Sequence, residues 1–350
     1  MKTGSSQPVH QLWFSQPLAV EVREAALPPP AAGELLIQTV CSAVSAGTEM
    51  LVYRGQVPPT MALDSSIAGM EEKTSYPLPY GYACVGRVLQ TGNGVDAGWQ
   101  GRLVFAFVPH ASHFITTVAA VIPLPPDVDP EAAVFLANLE TAVNLVQDGN
   151  PQLGERVVVL GQGIVGLLLS QLLARFPLAW LGAVETMALR KDQALQAGVR
   201  QVFDPRTDLD DLKTQLGGRG ADLVFEVSGA AEALDLAIGL SGFAGRIVVG
   251  SWYGSKSSTV ALGGEAHRNR LQISTSQVST IAPALSGRWD KARRFELCWQ
   301  LLRQLPVQQL ITHRLPLSEA PRLYDQLHRA PEAVLQALFV YTEEEFPCTA

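Results

Sequence analysis

Hydrophobic residues follow two different patterns along this chain, and the change between them falls near Glu155. Over the first 125 residues, short runs alternate between apolar and polar positions and are separated by Gly and Pro. Such runs predict β-strands, here at residues 35–40, 83–90, 102–107 and 113–117. This part of the chain is therefore expected to form an irregular, β-rich domain.

From Glu155 onward, short apolar strands alternate with helical segments. The pattern predicts strands at residues 156–160, 180–184, 221–227, 246–249 and 272–276, and helices at residues 164–174 and 188–197. Gly198 is placed to end the second of these helices. Because strands that are separated by helices pair in parallel, the predicted fold class is α/β with a doubly wound parallel sheet.

Two further segments set the expected order of the domains. Pro-rich residues 121–126 predict a rigid connector, and Asp129 with Pro130 predicts the start of a helix. After Pro283 the chain is helical at residues 289–304, strand-like at 309–313 and helical again at 318–327. We expect this last part to return to the first domain, and the acidic residues 342–350 to be frayed.

Composition narrows the class of protein. A length of 350 residues favours two domains, and 47% hydrophobic with 17% charged residues is ordinary for a globular protein. The net charge of -7, with no block of five Lys or Arg residues, argues against a nucleic-acid partner. No apolar run is long enough for a signal peptide or a membrane span, so we expect a cytoplasmic protein without a membrane partner.

Residues 161–166 (GQGIVG) follow a predicted strand and open a predicted helix. In that context the G-x-G-x-x-G pattern is typical of a dinucleotide-binding turn. Gly161 permits the tight turn, Gly163 lets a pyrophosphate approach the backbone, and Gly166 lets helix and strand pack closely. The N–H groups of the helix start, at Ile164 and Val165, would then face the phosphates. The alternative is a glycine-rich turn that binds no ligand.

An acidic residue is expected at the end of the second strand of such a fold, and Glu185 stands 19 residues after Gly166. Its carboxylate would accept hydrogen bonds from the ribose and repel a 2′-phosphate, which predicts NAD(H) over NADP(H). Arg190 could instead contact a 2′-phosphate, so NADP(H) is the alternative, and Glu185 could also be a solvated strand-end charge. The dipeptides Ser228-Gly229 and Gly250-Ser251 end later strands and are expected to line the same cofactor site.

Several motifs resemble those of one superfamily. The motifs that carry this resemblance are Tyr53-Arg54-Gly55, residues 85–88 (VGRV), the glycine turn and residues 310–317 (LITHRLPL). From residue 10 to 341 the chain resembles the medium-chain dehydrogenase/reductase superfamily. A second set of motifs comprises residues 45–49 (SAGTE), 80–82 (YGY), 109–110 (PH) and 138–142 (NLETA). By these motifs the chain most resembles, within the superfamily, the branch that contains the bacteriochlorophyllide 2-hydroxyethyl dehydrogenases.

The resemblance implies a domain organisation. It implies a GroES-like, β-rich catalytic domain built from residues 1–126 and 283–341, with a Rossmann NAD(P)-binding domain inserted at residues 127–282 and a flexible tail at 342–350. It also implies a cofactor contact from Thr141 and assembly as a homodimer or homotetramer.

The same resemblance marks the positions at which zinc-dependent members carry their catalytic metal ligands. Those positions hold Ala46 (or Ser45, if one residue is inserted), Tyr82 and Ala137 in this chain. Zinc needs a set of thiolate, imidazole or carboxylate donors, and these residues do not provide one. We therefore expect no metal.

Cysteines and histidines offer no other metal site. The four cysteines form no C-x-x-C pair, which excludes a zinc ribbon and favours free thiols: Cys41, Cys84, Cys298 and Cys348. His110 and His113 have ligand-like spacing, but on a strand they would face opposite sides. His113 is expected to be an ordinary strand-end residue, whereas His110 belongs to a motif of the resembled branch and is a candidate active-site residue.

Without zinc, hydrogen-bond donors must stabilise alkoxide character and a side chain must take the hydroxyl proton. Tyr82 is the first candidate, because it stands in a vacated ligand position and can donate or accept a proton. Thr48 matches the proton-relay hydroxyl of zinc-dependent members, and Glu49 or Glu140 could orient donors or act as the base. Structural alternatives exist for three of them: Tyr82 could fill the space of the metal, Glu49 could anchor a loop by pairing with an Arg, and Glu140 could brace two domains.

These residues favour a zinc-independent, NAD(H)-dependent alcohol dehydrogenase or ketone reductase. By the resemblance, its small-molecule substrate would be a secondary alcohol on a large, flat, apolar molecule, with residues 56–76 forming a loop over the pocket. One alternative is a zinc-free enoyl or quinone reductase that uses NADPH. The other is a catalytically silent dinucleotide-binding protein.

Overall fold

The computed structural model describes residues 7–58, 60–62 and 75–342. Within those ranges no helix is both long enough and apolar enough to cross a membrane. The chain divides into two compact units: unit 1 comprises Met1–Ala137 with Leu302–Ala350, and unit 2 comprises Asn138–Leu301. Both ends of the chain therefore belong to unit 1, and unit 2 is inserted between them.

Strands and helices are numbered in chain order. The strands are β1 Gln7–Gln16, β2 Ala19–Leu27, β3 Glu34–Ala43, β4 Leu78–Pro79, β5 Cys84–Thr91, β6 Leu103–Ala106, β7 His113–Thr117, β8 Val121–Pro123, β9 Arg156–Leu160, β10 Trp180–Val184, β11 Gln201–Phe203, β12 Ala221–Glu226, β13 Ser241–Val249, β14 Gln272–Thr275, β15 Ile311–Pro316 and β16 Gln336–Val340. The α-helices are α1 Ala46–Tyr53, α2 Pro130–Ala133, α3 Leu136–Gly149, α4 Ile164–Leu173, α5 Ala188–Gln196, α6 Leu209–Leu216, α7 Ala233–Leu240, α8 Lys291–Leu302 and α9 Ala320–Arg329.

Unit 1 is built around strand β3. Its larger sheet has seven strands, in the order β15-β16-β3-β5-β6-β8, with β7 also paired to β3. Leu35 and Ile37 of β3 pack against Cys84 and other apolar side chains of the sheet. Gly86 on β5 permits this close pairing, because a Cβ atom there would lie 2.5 Å from Ile37 Cγ2. A smaller sheet has the order β2-β1-β4.

Unit 2 contains a parallel sheet of six strands, in the order β11-β10-β9-β12-β13-β14. The side chains of Val157, Val158 and Val159 on β9 are fully buried, because β9 lies between β10 and β12 with helices along the sheet. The chain order reverses at β9, and ligands of doubly wound sheets bind outside the carboxyl ends of strands at such a reversal. The predicted α/β class with a doubly wound parallel sheet is thus confirmed.

Element bounds follow the prediction most closely where apolar residues are continuous. Strands β9, β10 and β7 have the predicted bounds, and the predicted connector at residues 121–126 contains strand β8. The hairpin of β1 and β2 and helix α1 were not predicted. In β1 only a few side chains, among them Leu12 and Phe14, are buried, so the hairpin carries a weak apolar pattern.

The unit boundaries differ from the predicted ones. They lie at 137/138 and 301/302 instead of 126/127 and 282/283. Helix α2 packs against β3 and β5, which keeps it in unit 1, and Lys291 of α8 pairs with Glu140 of α3, which keeps α8 in unit 2. Most of the predicted tail (343–350) and of the predicted loop over the pocket (59 and 63–74) lies outside the described residues.

Candidate active site

The hydroxyl groups of Ser45, Thr48 and Tyr82 lie close together in unit 1. Ser45 and Tyr82 stand at positions where the resemblance leads one to expect zinc ligands, and Thr48 lies beside them. Ser45 Oγ and Tyr82 Oη are hydrogen-bonded to each other, and Tyr82 Oη also donates to Thr48 Oγ1 at 3.4 Å. All three side chains are partly exposed. We call Ser45, Thr48 and Tyr82 the hydroxyl cluster; its Ser45 was considered in the sequence only as a vacated ligand position.

The start of helix α1 explains why the Ser45 hydroxyl is available to Tyr82. Ser45 is the N-cap residue, yet its side chain makes no capping hydrogen bond. Its backbone N–H is instead bound by Glu49 Oε1 at 2.7 Å, one turn along the helix. Because the Ser45 hydroxyl makes no capping contact with the helix, it is available to contact Tyr82 Oη.

Glu49 itself lies in a buried hydrogen-bond network. Its carboxylate is fully buried and accepts hydrogen bonds from Ser45 N, Tyr324 Oη and His110 Nε2, the last at 3.2 Å from Oε2. His110 Nδ1 lies 2.7 Å from Ser42 Oγ, which lies 3.0 Å from Tyr341 Oη. We call the set of five the carboxylate network: Ser42, Glu49, His110, Tyr324 and Tyr341.

These partners correct the sequence-based interpretation of Glu49. His110 Nε2 and Tyr324 Oη contact its carboxylate, whereas the structural alternative raised from the sequence was pairing with an Arg. A buried carboxylate is costly unless several donors surround it, and the network supplies them. Burial, and after it the charge of Glu49, raises the pKa of Tyr324 well above its ordinary value, so the phenol keeps its proton and donates.

A single glycine lets His110 reach this position. Gly81 has φ +128°, and a Cβ atom there would lie 2.7 Å from His110 Cδ2. On the other side, the His110 ring packs edge-on against Phe339, with ring centroids 5.1 Å apart and an interplanar angle of 86°. His110 lies in the loop before β7, so it does not share a strand with His113.

His113 is a buried strand-end residue. Its Nδ1 lies 3.2 Å from Ser112 Oγ, and its Nε2 has no hydrogen-bond partner among the described residues. Burial, and after it the charge of His10, lowers the pKa of His113 from 6.5 to about 4. The imidazole is therefore neutral at physiological pH.

The donor set at the vacated positions does not fit zinc. Tyr82 and Ser45 present hydroxyl groups that bind each other, and Ala137 presents a methyl group. Over residues 7–58, 60–62 and 75–342, no three His, Cys, Asp or Glu side chains lie close enough to hold a metal ion. The groups that these positions present to a ligand are the hydroxyls of Ser45 and Tyr82.

Glu140 lies on helix α3 of unit 2, where its ion-pair partners are both on α8. Lys291 Nζ contacts Glu140 Oε1, and Arg294 Nε lies 3.6 Å from the same oxygen. Burial raises the pKa of Glu140, and the charges of Lys291 and Arg294 oppose that rise. The guanidinium of Arg294 is fully buried and also contacts Asn144 Oδ1. Glu140 thus braces α3 against α8 within unit 2, where the sequence had suggested a brace between domains.

The glycine turn at the end of β9 has the geometry of a dinucleotide cradle. Gly161 has φ +92°, and a Cβ atom there would lie 2.5 Å from Ser228 Cα. At Gly166 a Cβ atom would lie 2.1 Å from Gly161 O, whereas at Gly163 it would meet nothing within 4 Å. Gly161 and Gly166 are therefore needed for packing, whereas Gly163 borders open space. Gly163 is the N-cap of α4, so the unpaired N–H groups that follow begin at Ile164 and Val165.

Glu185 directly follows strand β10 beside this turn and is well buried. Its Oε2 accepts from Gln162 N at 2.9 Å, and its Oε1 accepts from Thr186 N at 2.6 Å and Met187 N at 3.0 Å. Backbone N–H groups of two loops therefore hold the carboxylate in place. Arg190, on the first turn of α5, is partly buried, and its Nε has no hydrogen-bond partner among the described residues.

A second buried carboxylate, Glu226, was missed in the sequence. It ends β12, and its Oε1 accepts from Ser228 N at 2.8 Å and Ser228 Oγ at 2.5 Å, while Oε2 accepts from Tyr253 Oη at 2.5 Å. Gly229 N donates to Ser251 Oγ at 2.8 Å, so the loops after β12 and β13 are tied together. The signal in the sequence was a carboxylate directly after the apolar run at residues 223–225 of this strand.

Two further predicted cofactor residues occupy different settings. Gly250 follows β13, and a Cβ atom there would lie 2.7 Å from Leu145 Cδ2, so packing alone explains this glycine. Thr141 lies on α3 and is partly exposed.

Comparison with known proteins agrees with this architecture. The family model described as "Zinc-binding dehydrogenase" matches residues 165–295. D-guloside 3-dehydrogenase of Escherichia coli K12 is 27% identical over 315 residues, which cover 84% of this chain and 89% of that protein.

Two further similarities extend over nearly the whole chain. The 2-desacetyl-2-hydroxyethyl bacteriochlorophyllide A dehydrogenase of Rhodobacter capsulatus is 26% identical over 345 residues, covering 93% of this chain and 96% of that protein. A crystal structure described as a short chain alcohol dehydrogenase from E. coli CFT073, complexed with NADH, shares the fold with a TM-score of 0.78 at 18% identity, covering 96% and 100% of the two chains. With a family model on part of unit 2, relatives that are similar over nearly the whole length and this common fold, the chain is similar to oxidoreductases of the medium-chain dehydrogenase/reductase type.

Proposed function

We propose that this protein is a zinc-independent alcohol dehydrogenase or ketone reductase that uses NAD(H). The observation that carries the proposal is the hydroxyl cluster, in which Tyr82 and Ser45 stand at vacated ligand positions and bind each other. The family model is named for zinc, but Ser45, Tyr82 and Ala137 do not present zinc ligands. Hydrogen-bond donors are therefore the groups left to act on a substrate oxygen.

The proposed chemistry divides between the two units. The nicotinamide cofactor, held by the glycine turn of unit 2, supplies the hydride acceptor or donor. Tyr82 of unit 1 binds the reacting oxygen. When an alcohol is oxidised, Tyr82 accepts the alcohol proton while its own phenol proton passes to Thr48 Oγ1, and the partly exposed Thr48 hydroxyl releases a proton to solvent; when a ketone is reduced, the protons move the opposite way. Ser45 Oγ can donate to Tyr82 Oη and so compensate negative charge that develops on it.

Three of the predicted catalytic residues take supporting roles in this proposal. Glu49 and His110 are buried and bound to each other, so we assign them to holding the start of α1 and the loop before β7. Glu140 is held by Lys291 and Arg294, and we assign it to the stability of unit 2.

The preference for NAD(H) is proposed from Glu185. Its buried negative charge, held by three backbone N–H groups, would repel a 2′-phosphate on the adenosine ribose. Arg190 supports the alternative, since its Nε is without a partner among the described residues and a guanidinium suits a phosphate. Steady-state kinetics with both cofactors decides; a tenfold or greater preference for NADPH contradicts the proposal.

The substrate is proposed to be a secondary alcohol carried by a bulky apolar molecule. This follows the similarity to the bacteriochlorophyllide A dehydrogenase, whose name denotes a hydroxyethyl group on a tetrapyrrole. The similarity to D-guloside 3-dehydrogenase makes glycosides the other substrates for a panel. If the enzyme oxidises glycosides but does not oxidise hydroxyethyl macrocycles, the proposal of a bulky apolar substrate is contradicted.

We further propose a homodimer or homotetramer in the cytoplasm. Assembly rests on the superfamily, and light scattering coupled to gel filtration measures it. The location is supported by Cys41, Cys84 and Cys298, which are free buried thiols of the kind that a reducing compartment preserves.

The central test is Tyr82→Phe, which removes one hydroxyl and keeps the ring. A lost hydrogen-bond donor at a developing oxyanion lowers turnover by about 100- to 1000-fold. The assay follows NADH consumption with a panel of ketones at saturating cofactor. Tyr80→Phe is the matched control, since its buried ring packs edge-on against Tyr82, with centroids 6.1 Å apart.

Three results would contradict the proposal. A loss of kcat smaller than about tenfold in Tyr82→Phe would leave that residue as packing. Reduction of enones in place of ketones would favour an enoyl or quinone reductase. Tight NADH binding without turnover of any carbonyl compound or alcohol would favour a silent dinucleotide-binding protein.

A further inference from the structure

The Glu49 carboxylate is the point at which distant parts of unit 1 meet. Its side chain is 0% exposed, so every hydrogen bond that it accepts comes from the protein. The donors are Ser45 N in the same helix turn, His110 Nε2 from the loop before β7, and Tyr324 Oη from helix α9. The last donor comes from 275 residues further along the chain.

Tyr324 is held rigidly where it makes this contact. It is 0% exposed, and its ring packs edge-on against Phe14 with centroids 5.3 Å apart and at a tilt against Tyr53 with centroids 5.6 Å apart. Tyr53 lies on the last turn of α1, so α9 contacts both the start and the end of that helix. A phenol fixed in this way has no other position for its hydroxyl than the one at Glu49.

The contact reaches the hydroxyl cluster through one peptide group. Glu49 Oε2 accepts from Tyr324 while Oε1 accepts from Ser45 N, so the two hydrogen bonds fix the plane of the carboxylate together. With the Ser45 N–H held, the backbone of Ser45 is fixed where its hydroxyl contacts Tyr82 Oη. A tilt of the carboxylate would release the Ser45 N–H, and the backbone at the start of α1 could then shift and carry the Ser45 hydroxyl away from Tyr82 Oη.

We propose that Tyr324 is a positioning residue for the reaction: by donating to Glu49 it holds Ser45 in the orientation in which the Ser45 hydroxyl supports Tyr82. The proposal rests on the proposed function, since it requires Tyr82 to act on the substrate oxygen. Tyr324 contacts neither the hydroxyl cluster nor the glycine turn, and it acts only through Glu49 and the Ser45 peptide.

The first test is Tyr324→Phe, measured beside Tyr53→Phe. Both substitutions remove one hydroxyl from buried, mutually packed rings on α9 and α1, but only Tyr324 donates to Glu49. We expect kcat per folded protein to fall about tenfold in Tyr324→Phe and less than about twofold in Tyr53→Phe. The KM for the nucleotide should be unchanged in both, because its proposed turn belongs to unit 2.

The second test is the double variant Tyr82→Phe/Tyr324→Phe. If Tyr324 acts through Ser45 on Tyr82, its removal should cost less than about twofold once the Tyr82 hydroxyl is gone. Thermal denaturation of all variants measures the loss of stability separately, and kcat is normalised to the fraction of protein that binds nucleotide. A purely structural role for Tyr324 would lower the melting temperature and leave normalised kcat unchanged.

The outcomes separate the two proposals. If Tyr82→Phe leaves turnover intact, the proposed function fails and this inference fails with it. Suppose that Tyr82→Phe lowers turnover. If Tyr324→Phe then leaves normalised kcat unchanged, or lowers it by the same factor with and without the Tyr82 hydroxyl, only the positioning role of Tyr324 is overturned. Loss of nucleotide binding in Tyr324→Phe would overturn it as well.

Discussion

Acidification should destabilise this protein through His113, whose imidazole is buried at the first position of β7. Burial, and after it the charge of His10, lowers the pKa of His113 to about 4 from its ordinary 6.5. The folded state thus favours the neutral ring. Between these two pKa values the unfolded chain binds a proton that the folded chain does not, so stability is full above pH 6.5 and falls as the pH is lowered toward 4.

The shift sets the size of the effect. Applying the linkage relation to this one group gives about 2 kcal/mol of stability lost between pH 7 and pH 5, and about 3 kcal/mol by pH 4. Domain stabilities are typically about 5–15 kcal/mol, so this is a measurable fraction. Burial is the main cause of the shift, and no acceptor in the described part of the chain lies at His113 Nε2 to stabilise a second proton.

The assay compares the wild type with His113→Asn by urea denaturation at pH 7 and pH 5. An Asn side chain can place its amide near Ser112 Oγ, where His113 Nδ1 lies at 3.2 Å, but it does not titrate. Other titrating groups affect both proteins alike, so the difference between their pH dependences isolates His113. His267→Asn serves as the control, since His267 is exposed.

Equal losses of unfolding free energy in the wild type and in His113→Asn would refute the role given to His113. If wild type and His113→Asn lose the same unfolding free energy between pH 7 and pH 5, within about 0.5 kcal/mol, then His113 is not held neutral by burial. An NMR titration that placed the folded pKa of His113 near 6.5 would lead to the same conclusion.

Two further predictions concern unit 2. In Gly166→Ala a Cβ atom would lie 2.1 Å from Gly161 O, so the glycine turn must shift. The affinity for NADH, measured by fluorescence titration, should then fall at least about tenfold. An unchanged affinity would mean that the turn does not bind the cofactor. Glu140→Gln leaves the buried Arg294 without its carboxylate partner and should lower the free energy of unfolding, measured by urea denaturation, by about 3 kcal/mol. Asp127→Asn, which breaks an exposed ion pair, is the control and should have a much smaller effect. Similar losses in both variants would contradict the role of Glu140 as a brace.

The sequence predicted most of unit 2. Strands β9 and β10 have the predicted bounds, and helix α4 starts at the predicted Ile164. These elements could be predicted because they are local: a short apolar run, a glycine turn and an apolar helix are each specified within a few residues. The turn geometry at Gly161 and Gly166 follows from the same local signal.

Unit 1 was less predictable. Its strands are partly exposed or irregular, and the β1–β2 hairpin and helix α1 give weak periodicity. Helix α1 contains Gly47 and is short, with buried residues at consecutive positions 49–53, so no amphipathic pattern identified it. Its missed start mattered, because Thr48 and Glu49 take their directions from this helix.

The sequence by itself determined that this chain has a doubly wound sheet with a glycine turn after its first strand, and it placed hydroxyl and methyl groups at the positions where the resemblance leads one to expect zinc ligands. Residue identity and spacing within short segments are enough for those conclusions. Only the tertiary structure decided which groups meet: Glu49 pairs with His110 and Tyr324, 61 and 275 residues away, and Ser45 joins Tyr82. Such partners depend on how α9 and the loops before β5 and β7 are placed beside α1, and periodicity along the chain does not encode which distant side chain fills a buried site.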